Sequence, residues 1–261
     1  MAAVVVPAAL AASVTFPSGP AAAGRPEGAG TQAPGVDVRR DVPYREANGT
    51  VLKLDAYLPD GPGPYPGVVL IYGGGWIAGD KAGWEGFGRT LAQSGFAAFA
   101  VNYRLAPRDP YPAAVNDVRA SVEWLRSHAT DFRLDPARIG ALGGSAGGHL
   151  AALLATLGDG PRDRGSRVLT AVSWAGPMDL HPAQYPADSQ PYQTAFLDCR
   201  SGTCDEARVQ EASPITHVDS SDGTMLLAHG LEDMLVPTSQ AQRMADALNR
   251  AGVANQLLLV P

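Results

Sequence analysis

Gly143-Gly144-Ser145-Ala146-Gly147 is the segment of this chain best suited to covalent chemistry. It fits G-x-S-x-G and lies between an apolar run that ends at Leu142 and an Ala/Leu-rich run that begins at Ala146. In such a strand-turn-helix the serine sits on a strained elbow with Oγ exposed above the sheet. Glycine at 143 and 147 lets the chain turn sharply without side-chain collision. The helix N-terminus behind the serine favours developing negative charge. A second segment, Tyr72-Gly73-Gly74-Gly75-Trp76, follows another apolar run. Consecutive glycines expose backbone amides, so Gly74 and Gly75 could form one half of an oxyanion hole, with the Ala146 amide as the other. A third, His229-Gly230-Leu231-Glu232-Asp233, comes later in the chain, as triad acids do in this architecture. Asp233 is the expected acid, with Glu232 a local competitor and Asp179 a more distant one.

The elements that must position these residues are legible from periodicity. Thr50–Leu58 alternates imperfectly after Asn48-Gly49, a hairpin turn signal. Gly67–Tyr72 is a short continuous apolar run, as expected of a strand buried on both faces. Phe96–Asn102, Arg138–Leu142, Val168–Trp174, Met225–His229 and Asn255–Val260 read as further strands. Ala113–Ser127 spaces Val115, Val118, Val122 and Leu125 as an amphipathic helix. Ala146–Leu157 and Gln240–Ala251 read as helices, the last closed by Gly252. Strands alternating with helices predict an α/β fold, a mostly parallel sheet with helices on both faces. Pro182–Ala207 shows little pattern.

Bulk properties narrow the partners. With 261 residues and a net charge of −6, the chain has no electrostatic footprint for nucleic acid or anionic lipid. A small-molecule or polysaccharide-linked ester is the expected substrate. Residues 1–23 read as a signal peptide, with an apolar stretch from Ala2 to about Val14 and small residues at Ala21-Ala22-Ala23, although a basic start is missing. This stretch is too short, and too interrupted by Pro7 and Pro17, for a membrane span. Residues 24–36 read as a flexible Gly/Pro/Ala linker and 37–261 as the catalytic domain. Cys199 and Cys204 flank a Gly-containing turn and are expected to form a disulfide in an oxidising compartment, consistent with secretion.

The three motifs belong to a longer ordered set: Asn102-Tyr103-Arg104-Leu105-Ala106-Pro107, Gly176-Pro177-Met178-Asp179-Leu180, Ala212-Ser213-Pro214-Ile215 and Val236-Pro237. With these the chain, from about Tyr44 onward, resembles the α/β-hydrolase group containing bacterial feruloyl and acetyl-xylan esterases, related to the hormone-sensitive-lipase-like carboxylesterases. The resemblance implies Ser145 as nucleophile, Asp233 as triad acid, oxyanion-hole amides at Gly74, Gly75 and Ala146, and no metal or organic cofactor. Two positions depart from the family pattern. Tyr72 stands where the family usually has histidine, which bears on the shape and hydrogen bonding of the glycine loop. The family's catalytic histidine lies in a loop after the final strand, near a Val-Pro-Gly-like sequence, and this sequence ends at Leu259-Val260-Pro261. His128, His149, His181, His217 and His229 each read as an ordinary surface or core histidine, so the expectation is that the domain is incomplete at its C-terminal end.

The leading expectation is a serine carboxylesterase acting on small acyl groups, with plant cell-wall polysaccharide as a candidate carrier. A prolyl-oligopeptidase-like peptidase is an alternative, since His229–Pro237 also resembles that group. A catalytically impaired hydrolase-fold binding protein is another. Loss of one triad member leaves roughly 10³–10⁴-fold catalysis over water. Residues 1–261 alone are therefore expected to hydrolyse p-nitrophenyl acetate weakly or undetectably, and a p-nitrophenol release assay showing ordinary esterase turnover would remove the missing-base argument.

Overall fold

The strands sort their side chains between two apolar clusters with a period of two. Val69, Ile71, Ala97, Phe99, Val101, Ile139, Ala141 and Ala171 enter one cluster, while Leu70, Ala98, Ala100 and Leu142 enter the other. That alternation is what a sheet buried on both faces produces. The structure, a computed structural model, describes residues 35–199 and 203–261. The chain separates into two units, Met1–Gln32 and Ala33–Pro261. The first unit, with the expected signal peptide and most of the expected linker, lies outside the described residues.

Among the described residues eight strands form one sheet: β1 (Val36–Ala47), β2 (Thr50–Pro59), β3 (Tyr65–Ile71), β4 (Ala97–Val101), β5 (Leu134–Gly144), β6 (Thr170–Trp174), β7 (Thr224–Gly230) and β8 (Asn255–Val260). Their spatial order is β1-β2-β4-β3-β5-β6-β7-β8. β1 and β2 pair antiparallel, β2 runs antiparallel to β4, and every pair from β4 to β8 is parallel. This is the α/β-hydrolase fold. The β1–β2 hairpin closes through Asn48 (φ 50°) and Gly49 (φ 68°), with Ala47 paired to Thr50. Positive φ at both turn residues is the geometry that Asn-Gly favours.

Among the described residues six α-helices cover the sheet: α1 (Glu85–Gln93), α2 (Ala113–Ser127), α3 (Ala146–Thr156), α4 (Gln190–Leu197), α5 (Glu206–Ala212) and α6 (Ser239–Ala251). Residues of α2, α3 and α6 join the larger cluster and Ala92 of α1 joins the smaller, so helices lie on both faces. All eleven residues of α3 are buried. Periodicity had predicted α2, α3 and α6. It leaves out α1, α4 and α5: α4 and α5 are only eight and seven residues long, and α1, although Phe87 and Leu91 are spaced four apart, carries glycine at 86 and 88. Of these, α5 carried a readable start, since the Asp205 side chain accepts from Ala207 N at 3.1 Å.

The order of the parallel strands reverses between β3 and β5: β4 lies beyond β3, whereas β6, β7 and β8 follow β5 outward. Loops at the C-terminal ends of strands flanking such a point form a crevice. The register brings these ends level, with Ile71 opposite Gly143, Gly144 opposite Trp174, Trp174 opposite Ala228 and Gly230 opposite Val260. α3 can start directly behind β3 only because position 147 has no side chain. A Cβ there would lie 2.0 Å from Ile71 O and 2.6 Å from Tyr72 O. At Gly144 an added Cβ would meet nothing within 4 Å. Gly147→Ala is expected to lower the unfolding free energy by roughly 3 kcal/mol or more, and Gly144→Ala by about 1 kcal/mol or less, as read by urea denaturation.

Candidate active site

Ser145 joins β5 to α3 with φ 52° and ψ −122°. Those angles are unfavourable for a residue bearing a Cβ, and such strain persists only where the surroundings hold it. Two hydrogen bonds do so: Ser145 N–H donates to Trp174 O at 2.7 Å, and His149 N–H donates to Ser145 O at 3.0 Å. Ser145 opens onto a cavity of about 370 Å³ shared with Gly74, Gly75, Trp76, Ile77 and Ala78 after β3, Pro177 after β6, Ser189, Tyr192 and Gln193 around α4, and Leu235 and Val236 after β7. No charged side chain is among them.

The glycine loop folds tightly beside the serine. Gly74 has φ 115° and Gly75 φ 59°, and Gly74 O accepts from both Ile77 N and Ala78 N at 3.1 Å. A Cβ at Gly74 would lie 2.1 Å from Ala78 O, and one at Gly75 would lie 2.4 Å from the Tyr192 ring. Among the described residues no intrachain acceptor takes the Gly74 or Gly75 amide. Ala146 begins α3, where helix geometry leaves the amide without an i−4 partner. Its side chain is buried and does not line the cavity.

Tyr72, the departure noted in the sequence, is locked to Tyr103. The rings stack with centroids 4.3 Å apart. Tyr72 Oη–H donates to Tyr103 O at 3.2 Å, and Tyr103 Oη–H donates to Tyr72 O at 2.9 Å. Burial pushes the Tyr72 hydroxyl up to about 12, so it stays a neutral donor. Gly79 packs against the Tyr72 ring, where an added Cβ would come within 2.3 Å, so this tyrosine forms the floor over which the loop closes.

The three candidate acids separate by their surroundings. Asp179 donates none of its capacity to the cavity: Oδ2 accepts from Arg243 at 2.6 Å and Oδ1 from His181 N at 3.0 Å. Glu232 is exposed. Asp233 sits in the loop that brings Leu235 and Val236 to the cavity, and its Oδ1 accepts from both of their amides at 2.9 Å. The same loop is tied down by His229, whose Nε2–H donates to Val236 O at 2.8 Å with Asp233 Oδ2 3.6 Å away. Asp233 itself does not line the cavity.

The family model BD-FAE matches residues 54–248. This chain belongs to the BD-FAE family. Among relatives, the probable carboxylic ester hydrolase LipM of Mycobacterium tuberculosis is 32% identical over 198 residues, covering 72% of this chain and 46% of LipM. The chain spans about half the length of the curated relatives it matches. A solved truncated carbohydrate esterase from gut microbiota superposes with a TM-score of 0.75 at 28% identity, covering 88% of each chain. An acetyl ester-xyloside bifunctional hydrolase from Caldicellulosiruptor lactoaceticus superposes with a TM-score of 0.71 at 28% identity, covering 85% of this chain and 82% of that one.

All five histidines of this BD-FAE chain lie within the described residues, and none lines the Ser145 cavity. His128 stacks on Trp124, His181 lies 3.9 Å from Glu206 and accepts from Ala183 N, and His217 reaches Glu211 O. His229 is committed to the Asp233 loop as above, and His149 is fully buried between Trp76 and Ala212 O. Cys199 and Cys204 form a disulfide with Cα atoms 4.4 Å apart, just beyond α4. Sequence reasoning did not find the cavity-lining residues Ile77, Pro177, Ser189, Tyr192, Gln193 and Leu235. Pro177 and Leu235 lie inside segments quoted for the family resemblance without being singled out, the other four carry no motif, and only the packing of four separate stretches of chain gathers all six.

His149 also makes the stability of the fold depend on pH. Burial pushes its imidazole down to about 4, so the folded protein keeps it neutral. Unfolding then takes up a proton below the free value, so this stabilisation is complete above about pH 6.5 and is lost as pH falls toward 4. The loss should reach roughly 3 kcal/mol between pH 7 and pH 4. Urea titrations at those two pH values should show a smaller acid loss for His149→Asn than for the parent, by about that amount.

Proposed function

We propose that this protein is a serine esterase that hydrolyses carboxylic esters of small acyl groups through an acyl-enzyme on Ser145. The observation that carries the reading is the meeting of a strained Ser145, at the N-terminus of α3, with the glycine loop in one uncharged cavity. Ser145 Oγ attacks the ester carbonyl while a general base takes its proton. The tetrahedral oxyanion is received by the amides of Gly74, Gly75 and Ala146, each such donor contributing about 3–4 kcal/mol in comparable sites. Collapse expels the alcohol, which leaves with the proton, and water then releases the acid. Asp233 is the acid that orients the base and stabilises its charged form. Its Oδ1 is held by two amides, which leaves Oδ2 as the oxygen for that task. The reading requires a general base within reach of both Ser145 Oγ and Asp233 Oδ2.

The uncharged lining favours neutral esters. A carbohydrate esterase and an acetyl ester-xyloside hydrolase among the structural neighbours support acyl groups carried on carbohydrate, with cell-wall polysaccharide as the candidate carrier. The Cys199–Cys204 disulfide favours work outside the cytoplasm, in keeping with the signal-like N-terminus. The test is active-serine labelling with a fluorophosphonate of the protein expressed from its complete reading frame, read by peptide mass spectrometry. The label is expected on Ser145 and absent from Ser145→Ala, and kcat/KM for p-nitrophenyl acetate is expected to fall roughly 10⁴-fold or more in that variant and roughly 10³–10⁴-fold in Asp233→Asn. An unlabelled Ser145 would end the esterase reading.

A further inference from the structure

The oxyanion hole proposed above is assembled from two pieces of chain that share no strand or helix. One donor, the Ala146 amide, belongs to α3; the others, at Gly74 and Gly75, belong to the loop after β3. Donors of this kind act only when their spacing is held to a fraction of an ångström, so a physical tie between the two pieces is needed. His149 lies one turn into α3 and its side chain has no solvent exposure. Trp76 is the residue directly after Gly75, held at φ 60°. Trp76 Nε1–H donates to His149 Nδ1 at 3.2 Å, and the two rings meet edge-on with centroids 5.1 Å apart. On the far side of the imidazole, Nε2 lies 2.7 Å from Ala212 O at the end of α5.

Only one tautomer satisfies both contacts. Indole N–H can only donate and a carbonyl can only accept, so Nδ1 carries the lone pair and Nε2 the proton. No aliphatic side chain can accept and donate in opposite directions in this way. Trp76 is gripped further by Phe196 of α4, stacked at 4.5 Å, and its carbonyl accepts from Ala106 N at 3.0 Å. We infer that His149 is a positioning residue, which holds the glycine loop in register with the nucleophile helix through Trp76. It touches no reacting atom, since it does not line the Ser145 cavity. Its low proton affinity supports this role, because a protonated Nδ1 would turn a second donor toward the indole. The catalytic consequence rests on the esterase reading, while the structural tie does not.

Two measurements separate the tie from its consequence, both on the protein from its complete reading frame. Hydrogen exchange by mass spectrometry reads the tie. His149→Leu removes the acceptor and Trp76→Phe removes the donor while keeping a ring; each is expected to speed exchange in residues 73–78 about tenfold, the effect of losing about one net hydrogen bond, with β5 and β6 unchanged. The double variant is expected to be no faster than either single one. His149→Asn, which keeps an acceptor near the Nδ1 position, is expected to stay close to the parent. Steady-state hydrolysis reads the consequence: kcat is expected to fall roughly 10–100-fold in His149→Leu and Trp76→Phe with KM within about threefold, and to recover largely in His149→Asn. Unchanged exchange in 73–78, a rise spread evenly over the whole sheet, or additive single effects would overturn the inference. If no form hydrolyses any ester, the esterase reading fails and the exchange data still decide the tie. If His149→Leu does not fold, Trp76→Phe and His149→Asn carry the same comparison.

Discussion

Ser145 occupies a backbone conformation that a residue with a Cβ avoids, and that conformation exists because α3 can press its first turn against the end of β3. The contact is backbone to backbone: a Cβ at Gly147 would fall 2.0 Å from Ile71 O. Close approach at this point sets the direction of α3, and the direction of α3 sets where the Ser145 side chain emerges. Strain of this kind is of order 1–3 kcal/mol and must be held by surrounding structure. Here the complete burial of α3 and the Ser145–Trp174 hydrogen bond do the holding. The apolar core and the chemical site are therefore parts of one arrangement.

Around that elbow several buried polar groups pair across elements, while among the described residues Ser173 Oγ and His229 Nδ1 have no hydrogen-bond partner. Tyr72 and Tyr103 exchange hydrogen bonds while their rings stack. Lys81, at the far end of the glycine loop, is buried against Asp55 of β2 at 2.8 Å and reaches Asp41 at 3.1 Å. Asn102 takes the Lys81 amide and donates to Asp80. A buried charge without its partner is strongly destabilising, so such pairs act as locks on geometry more than as sources of net stability. The glycine loop, composed of residues with the least conformational preference, is thereby fixed at both ends and through Trp76 in the middle.

Apolar and uncharged walls around Ser145 have an electrostatic effect as well. In a site of low effective dielectric, each aligned amide acts more strongly on a developing negative charge than it would in water. The Asp233 carboxylate is kept out of the cavity wall and spends Oδ1 on its own loop's amides. Charge is thus held beside the cavity, with the cavity itself neutral.

Much of this was legible from the amino-acid sequence. Strands such as Gly67–Tyr72 and helices such as Ala113–Ser127 follow from hydrophobic period, which depends on neighbours a few residues away. The G-x-S-x-G segment, the glycine run and the Asn48-Gly49 turn are likewise local, because glycine is required where the backbone itself must turn or approach. The short helices α1, α4 and α5 were not legible. Nor was the choice among Asp179, Glu232 and Asp233 settled by position in the chain alone; it is the Arg243 contact, solvent exposure and the shared loop with Val236 that distinguish their surroundings. The sequence by itself determined which backbone segments could bend, expose amides and present a hydroxyl. Tertiary packing decided which side chains surround that hydroxyl and how His149 and Trp76 join across 73 residues, since long-range contacts depend on where every other element has been placed.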